Sequence, residues 1–276
     1  MDKELMNDDN GQQSVSRRGK LISQIVAEFN HSVYLKEHIV GENRGKSDME
    51  KPFNYPEHME VKRFHMPEFE MELLSWKDSE SPWVILQLHG GGYVGTLKNS
   101  YRTMAGLYAE VSKGASVLTI DYRVAPENPF PAALMDAFAA YNYLLEQGYE
   151  SENIIIAGDS AGGGLAMALC MYLRDSGMAV PAGIVAMSPW TDLTASGESY
   201  EENKDIDPVF GCGADDLIHN SAYIGDDDAE NPYISPLFGD FSGFPPMLIQ
   251  VGTCEMLLSD SEGVAKKALQ AGVKVR

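Results

Sequence analysis

The chain is poor in cysteine, in positive charge and in long apolar runs. Only three of its 276 residues are cysteine, Cys170, Cys212 and Cys254. They form an odd, scattered set with no Cys-x-x-Cys, which excludes a disulfide framework and points to reduced thiols in a cytoplasm. No apolar run reaches membrane-spanning length, and Met1-Asp2-Lys3-Glu4 is unlike a signal peptide. Lysine and arginine total 21 against 41 acidic residues, a net charge of -20. That balance opposes nucleic acid and anionic membranes and reads as a solubilising acidic surface. There is no phosphate loop and no dinucleotide fingerprint. Asp226-Asp227-Asp228 lacks the glycine and terminal glutamate of a calcium loop, and His58 and His65 are too far apart to suggest zinc. No metal and no organic cofactor is expected.

Two glycine-rich turns stand out, each directly after an apolar strand. His89-Gly90-Gly91-Gly92 follows Trp83-Val84-Ile85-Leu86-Gln87-Leu88, and Gly158-Asp159-Ser160-Ala161-Gly162 follows Ile154-Ile155-Ile156-Ala157. The second turn runs into a helical stretch, 165–174, rich in alanine, methionine and leucine. A serine on a sharp strand-to-helix turn, with backbone N–H donors nearby, supplies two parts of an acyl-transfer site. Such an elbow forces strained backbone angles, and a side chain at Gly158 or Gly162 would collide with neighbouring backbone. Taken alone, Ser160 could also be an ordinary N-cap serine.

With 44% hydrophobic residues, the chain can form one large α/β domain. Apolar spacing predicts a helix over 21–39 and antiparallel strands over 61–65 and 69–76, flanking a turn at Pro67. Strands buried on both faces are expected over 84–88, 117–120, 154–157, 184–187 and 248–251. Helices are expected over 131–147, 161–175 and 258–271. This alternation implies a mostly parallel central sheet with helices on both faces. Residues 193–240 are acidic and loop-rich, and with residues 1–50 they would form a helical cap over the carboxyl ends of the strands. The core is then expected in two parts, 51–192 and 241–276.

Several stretches resemble the hormone-sensitive-lipase group of α/β-hydrolases, which includes many microbial carboxylesterases. They are His89-Gly90-Gly91-Gly92-Tyr93, Asp121-Tyr122-Arg123-Val124-Ala125-Pro126-Glu127, Phe130-Pro131-Ala132-Ala133, Gly158-Asp159-Ser160-Ala161-Gly162-Gly163, Ser188-Pro189-Trp190-Thr191-Asp192, and 245–252. They fall in the family's order and cover the chain from about Pro82 onward. The resemblance implies an α/β-hydrolase fold and a serine carboxylesterase acting on small esters. Ser160 would be the nucleophile, and the N–H groups of Gly91, Gly92 and Ala161 would form the oxyanion hole. Tyr93 would line the substrate pocket. Association as a homodimer stays open.

The acid has more than one candidate. Glu255 lies just past the strand 248–251, Asp192 past the strand 184–187, and Asp260 farther along. The resemblance favours Glu255, since the family's acid follows Gly-x-x-Asp/Glu. Asp192 is otherwise a capping carboxylate, and Asp260 a charge near a helix N-terminus. The base is the problem. The six histidines are His31, His38, His58, His65, His89 and His219, and in this fold the histidine follows the acid along the chain. None follows Glu255. His89 reads as a loop-ordering residue, and His219 as a surface residue near Asp215 and Asp216. Residues 273–276 read as the start of a final edge strand, with the family's histidine expected on a loop beyond it. This form of the chain is thus expected to be poorly active. The alternatives are a catalytically silent binding protein on the same fold, and a hydrolase of amides or formamides.

Overall fold

A computed structural model describes residues 19–21, 24, 51–211, 218–219 and 221–276. The expected helix over 21–39 falls almost wholly outside them, as do Cys212, Asp215 and Asp216. The chain builds one seven-stranded sheet in the order β1-β2-β4-β3-β5-β6-β7. Strands β1 (Met59–His65) and β2 (Glu70–Trp76) form an antiparallel hairpin, and β2 runs antiparallel to β4 (Ser116–Asp121). From β4 onward every pairing is parallel, through β3 (Val84–Leu88), β5 (Ile154–Asp159), β6 (Gly183–Met187) and β7 (Met247–Gln250). Parallel strands need crossovers, and the helices supply them. These are α1 (Asn99–Val111), α2 (Ala132–Glu146), α3 (Ala161–Asp175) and, after β7, α5 (Leu258–Gln270). A short α4 (Ser199–Glu202) lies in the segment between β6 and β7.

The centre of the sheet is as apolar as its sequence demands. All five residues of β3 are buried, and α3 is buried at every position from Ala161 to Met171. Helix α1 has no counterpart among the elements expected from the sequence. Its two buried residues are alanines, Ala105 and Ala109, so its core-facing stripe is faint. Strand β7 also departs from expectation. Leu248 is 45% exposed, and β6 alternates buried with half-buried residues. On that sheet face the Tyr108 hydroxyl of α1 reaches the Met187 sulfur at 4.0 Å, and Leu248 lies one strand farther out. Burial on both faces therefore holds for β3 and fades towards β7. The last residues line up beside β7. Val275 bridges Met247 in parallel, and Met247 N–H donates to the Lys274 carbonyl at 2.9 Å.

Candidate active site

Ser160 joins β5 to α3 with φ 50° and ψ -123°. A non-glycine residue at such angles costs about 1–3 kcal/mol and persists only where its surroundings impose it, as four backbone bonds do here. Ser160 N–H donates to the Met187 carbonyl at 2.9 Å, and its own carbonyl accepts from Gly163, Gly164 and Trp190 at 3.0, 3.1 and 2.9 Å. The flanking glycines are needed for close approach. A Cβ on Gly158 would stand 2.3 Å from the Gly162 carbonyl oxygen, and one on Gly162 would stand 2.1 Å from that of Leu88. The Ser160 side chain makes no cap hydrogen bond, so the N-cap reading has no bond to rest on.

The glycine loop after β3 is bolted to this elbow. Gly91 and Gly92 have φ 118° and 62°, which an L side chain would resist. Gly90 N–H donates to Asp159 Oδ1 at 3.0 Å and to the Tyr101 hydroxyl at 2.9 Å, while that hydroxyl donates to Asp159 Oδ2 at 2.9 Å. Asp159 therefore fastens the loop to the residue next to Ser160, and burial raises its pKa. Among the described residues, the N–H groups of Gly91, Gly92 and Ala161 donate to no acceptor. His89 is buried, stacked on Tyr122 at 4.1 Å, with Nδ1 2.8 Å from the Gly90 carbonyl. Burial lowers its pKa, which favours the neutral ring, against the pull of the Gly90 carbonyl and the Asp121 charge. Tyr93 also points inward. It is 1% exposed and stacked on Tyr223 at 3.8 Å, so it packs within the wall and offers a ligand almost no surface.

The three acid candidates sit in different surroundings. Asp192 is fully buried and its carboxylate caps the following turn. It accepts from the N–H and hydroxyl groups of both Thr194 and Ser196. Asp260 is buried, and its Oδ2 accepts from the N–H groups of Thr191 and Asp192 at 2.7 and 2.8 Å. Burial pushes its pKa up to about 7. Glu255 is half-buried, and its Oε1 accepts from Gly252 N–H at 2.7 Å. Its other oxygen has no hydrogen bond among the described residues. No described histidine bonds to Ser160 or Glu255. His58 lies against Glu110 and His65 against Glu70, and His219 is exposed on a helical turn.

Tyr101 gave no signal in the sequence. It lies eleven residues past Gly90, on the helix that the apolar spacing also failed to reveal. Among the described residues, no helix is long and apolar enough to cross a membrane.

A strained serine between strand and helix, with a glycine loop beside it and carboxylates at the carboxyl edge of a parallel sheet, is the plan of an α/β-hydrolase. The chain belongs to that family. Residues 85–276 match its alpha/beta hydrolase fold model, and the resemblance to the hormone-sensitive-lipase-like carboxylesterases holds. The acetyl-hydrolase of Streptomyces hygroscopicus is 42% identical over 191 residues, covering 69% of this chain and 63% of its own length. An esterase of Acinetobacter venetianus is 38% identical over 193 residues, covering 70% and 63%. The chain thus spans less than two thirds of the length of either relative. Among solved structures, an esterase from the bacterial hormone-sensitive lipase family superposes with a TM-score of 0.82 at 32% identity, covering 96% of this chain and 88% of that one.

Proposed function

We propose that the protein is a serine carboxylesterase that hydrolyses short- to medium-chain carboxylic esters in the cytoplasm. One observation carries the reading: a serine at positive φ whose side chain makes no cap hydrogen bond, beside a glycine loop in which the N–H groups of Gly91 and Gly92 donate to no acceptor among the described residues. Ser160 attacks the ester carbonyl, and the N–H groups of Gly91, Gly92 and Ala161 hold the oxyanion that forms. A histidine oriented by Glu255 takes the serine proton and passes it to the departing alcohol. Water then releases the acyl group by the reverse route. The relatives' names, acetyl-hydrolase and esterase, support this chemistry and a small acyl group. No histidine follows Glu255 within these 276 residues, and no described histidine bonds to Glu255. The silent-binder reading is disfavoured by the strained elbow, which a binding protein has no need to maintain.

The test is labelling by a fluorophosphonate in the esterase-active protein. The label should map to Ser160 and vanish in Ser160→Ala, with turnover falling on the order of 10⁴–10⁶-fold. Labelling that survives the substitution would overturn the assignment.

A further inference from the structure

We infer that Asn203 and Asp207, aided by Ser199, are positioning residues for the acid Glu255; the inference rests on the reading of Glu255 as that acid. The three side chains are spaced four residues apart, and all are buried. They reach one target, the loop that follows β7. Ser199 donates its hydroxyl to the Met256 carbonyl at 2.6 Å. It also exchanges backbone-to-hydroxyl bonds with Ser259, at 2.9 Å in each direction. Asn203 Nδ2 donates to the carbonyls of Glu255 and Thr253 at 2.7 and 3.3 Å. Asp207 Oδ2 accepts the Met256 N–H at 2.6 Å, while its Oδ1 accepts from Val209 and Phe210 at 2.6 and 3.0 Å.

The peptide that follows Glu255 is therefore gripped at both polar ends, its carbonyl by Asn203 and its N–H by Asp207. Both grips come from a segment about 50 residues away in sequence. The Glu255 side chain itself accepts one bond, from Gly252 N–H to its Oε1, and locally its N–H donates to the Gly252 carbonyl at 3.1 Å while its carbonyl accepts from Leu258 at 3.2 Å. A turn held this way keeps its shape because the segment carrying α4 is docked, so the position of the carboxylate depends on that docking. Such dependence matters because an error of about 1 Å in a catalytic group can cost on the order of 10²-fold. The residue types fit the task. Asn203 meets two carbonyls and must donate, and Asp207 meets three N–H groups and must only accept.

The experiment measures kcat and KM on a short nitrophenyl ester in the esterase-active protein. The variants are Asn203→Ala, Glu255→Gln and the pair combined, with Ser199→Ala as a milder change should Asn203→Ala not fold. Asn203→Ala should lower kcat on the order of 10²-fold with KM within about twofold. Ser199→Ala should lower kcat about tenfold in the same pattern. Because the residues act through one carboxylate, the double variant should fall no further than Glu255→Gln alone, within about threefold. Fully multiplied losses, or an unchanged kcat in a folded Asn203→Ala or Ser199→Ala, would overturn the inference and leave the acid assignment standing. An unchanged kcat in Glu255→Gln would instead remove the acid assignment and the inference with it.

Discussion

Replacing Asp260 by asparagine should flatten the dependence of stability on pH while leaving ester turnover within about tenfold. The reasoning starts from burial. Asp260 is 1% exposed, and among the described residues its Oδ1 accepts no hydrogen bond. Desolvation lifts its pKa from 3.8 to about 7, with the Thr191 N–H, the Tyr200 hydroxyl and the Asp192 N–H opposing the lift and the nearby Asp192 charge adding to it. In the unfolded chain the group ionises near 3.8. Between that value and about 7 the folded protein holds a proton that the unfolded chain has released, so stability falls as pH rises through this window. The full gap corresponds to at most about 4 kcal/mol. The loss is complete above the folded-state value and absent below the unfolded one. Asparagine carries no charge, and its Oδ1 can accept the same two N–H groups.

The assay is thermal unfolding from pH 4.5 to 8.5. Wild type should lose several degrees of Tm across the window relative to Asp260→Asn, and the two curves should converge at the acid end. Parallel curves would refute the claim that burial sets this titration. Turnover adds a second check, because Asp260 is also an admissible triad acid. A loss on the order of 10⁴-fold in Asp260→Asn would move the acid from Glu255 to Asp260.

Two further outcomes follow from the site. Gly162→Ala sets a methyl 2.1 Å from the Leu88 carbonyl oxygen and 2.6 Å from that of His89, so it should cost at least about 2 kcal/mol in denaturant unfolding, whereas Gly106→Ala on α1, where the new methyl meets nothing within 4 Å beyond its own chain neighbours and helix backbone, should stabilise by roughly 0.5–1 kcal/mol; equal stability of the two variants would contradict the close-approach argument. Rates on nitrophenyl esters should fall as the acyl chain lengthens past medium length, and a preference for long-chain emulsions would contradict the substrate class.

What could be read from the sequence was what neighbouring residues determine. Apolar β-branched runs gave β3 and β5, and the glycines around Ser160 gave the elbow, because both signals sit within a few residues of their effect. Helix α1 escaped because alanines fill its buried positions, and alanine carries little periodic contrast. The exposed Leu248 escaped because a strand's pattern records its apolar residues and not which helix covers them. Tyr93 misled for a related reason. Its place beside the glycine loop suggested a pocket wall, yet its stacking partner Tyr223 is 130 residues away in sequence and turns the ring inward. The fastening of Gly90 by Asp159 spans 69 residues, and no local pattern could announce it.

The acidic balance, too, has more in it than a solubilising surface. At the carboxyl edge of the sheet, aspartates at a strand's end or in the helix beyond it secure the loops of another strand. Asp121, at the end of β4, accepts from Leu97 N–H at 2.8 Å in the loop after β3. Asp159, at the end of β5, accepts from Gly90 in that same loop. Asp260, beyond β7, accepts from Thr191 and Asp192 in the loop after β6. Direct backbone bonds complete the series, from Ser160 to Met187 and from Ser188 to Gln250. Loops that leave a parallel sheet at a catalytic edge carry N–H groups with no strand partner, and burying them unpaired is costly. A short carboxylate accepts two or three such groups and brings no donor of its own. Asparagine would bring two, which is why Asp159, with both oxygens facing donors, should tolerate that exchange worse than Asp260, whose Oδ1 accepts no hydrogen bond among the described residues.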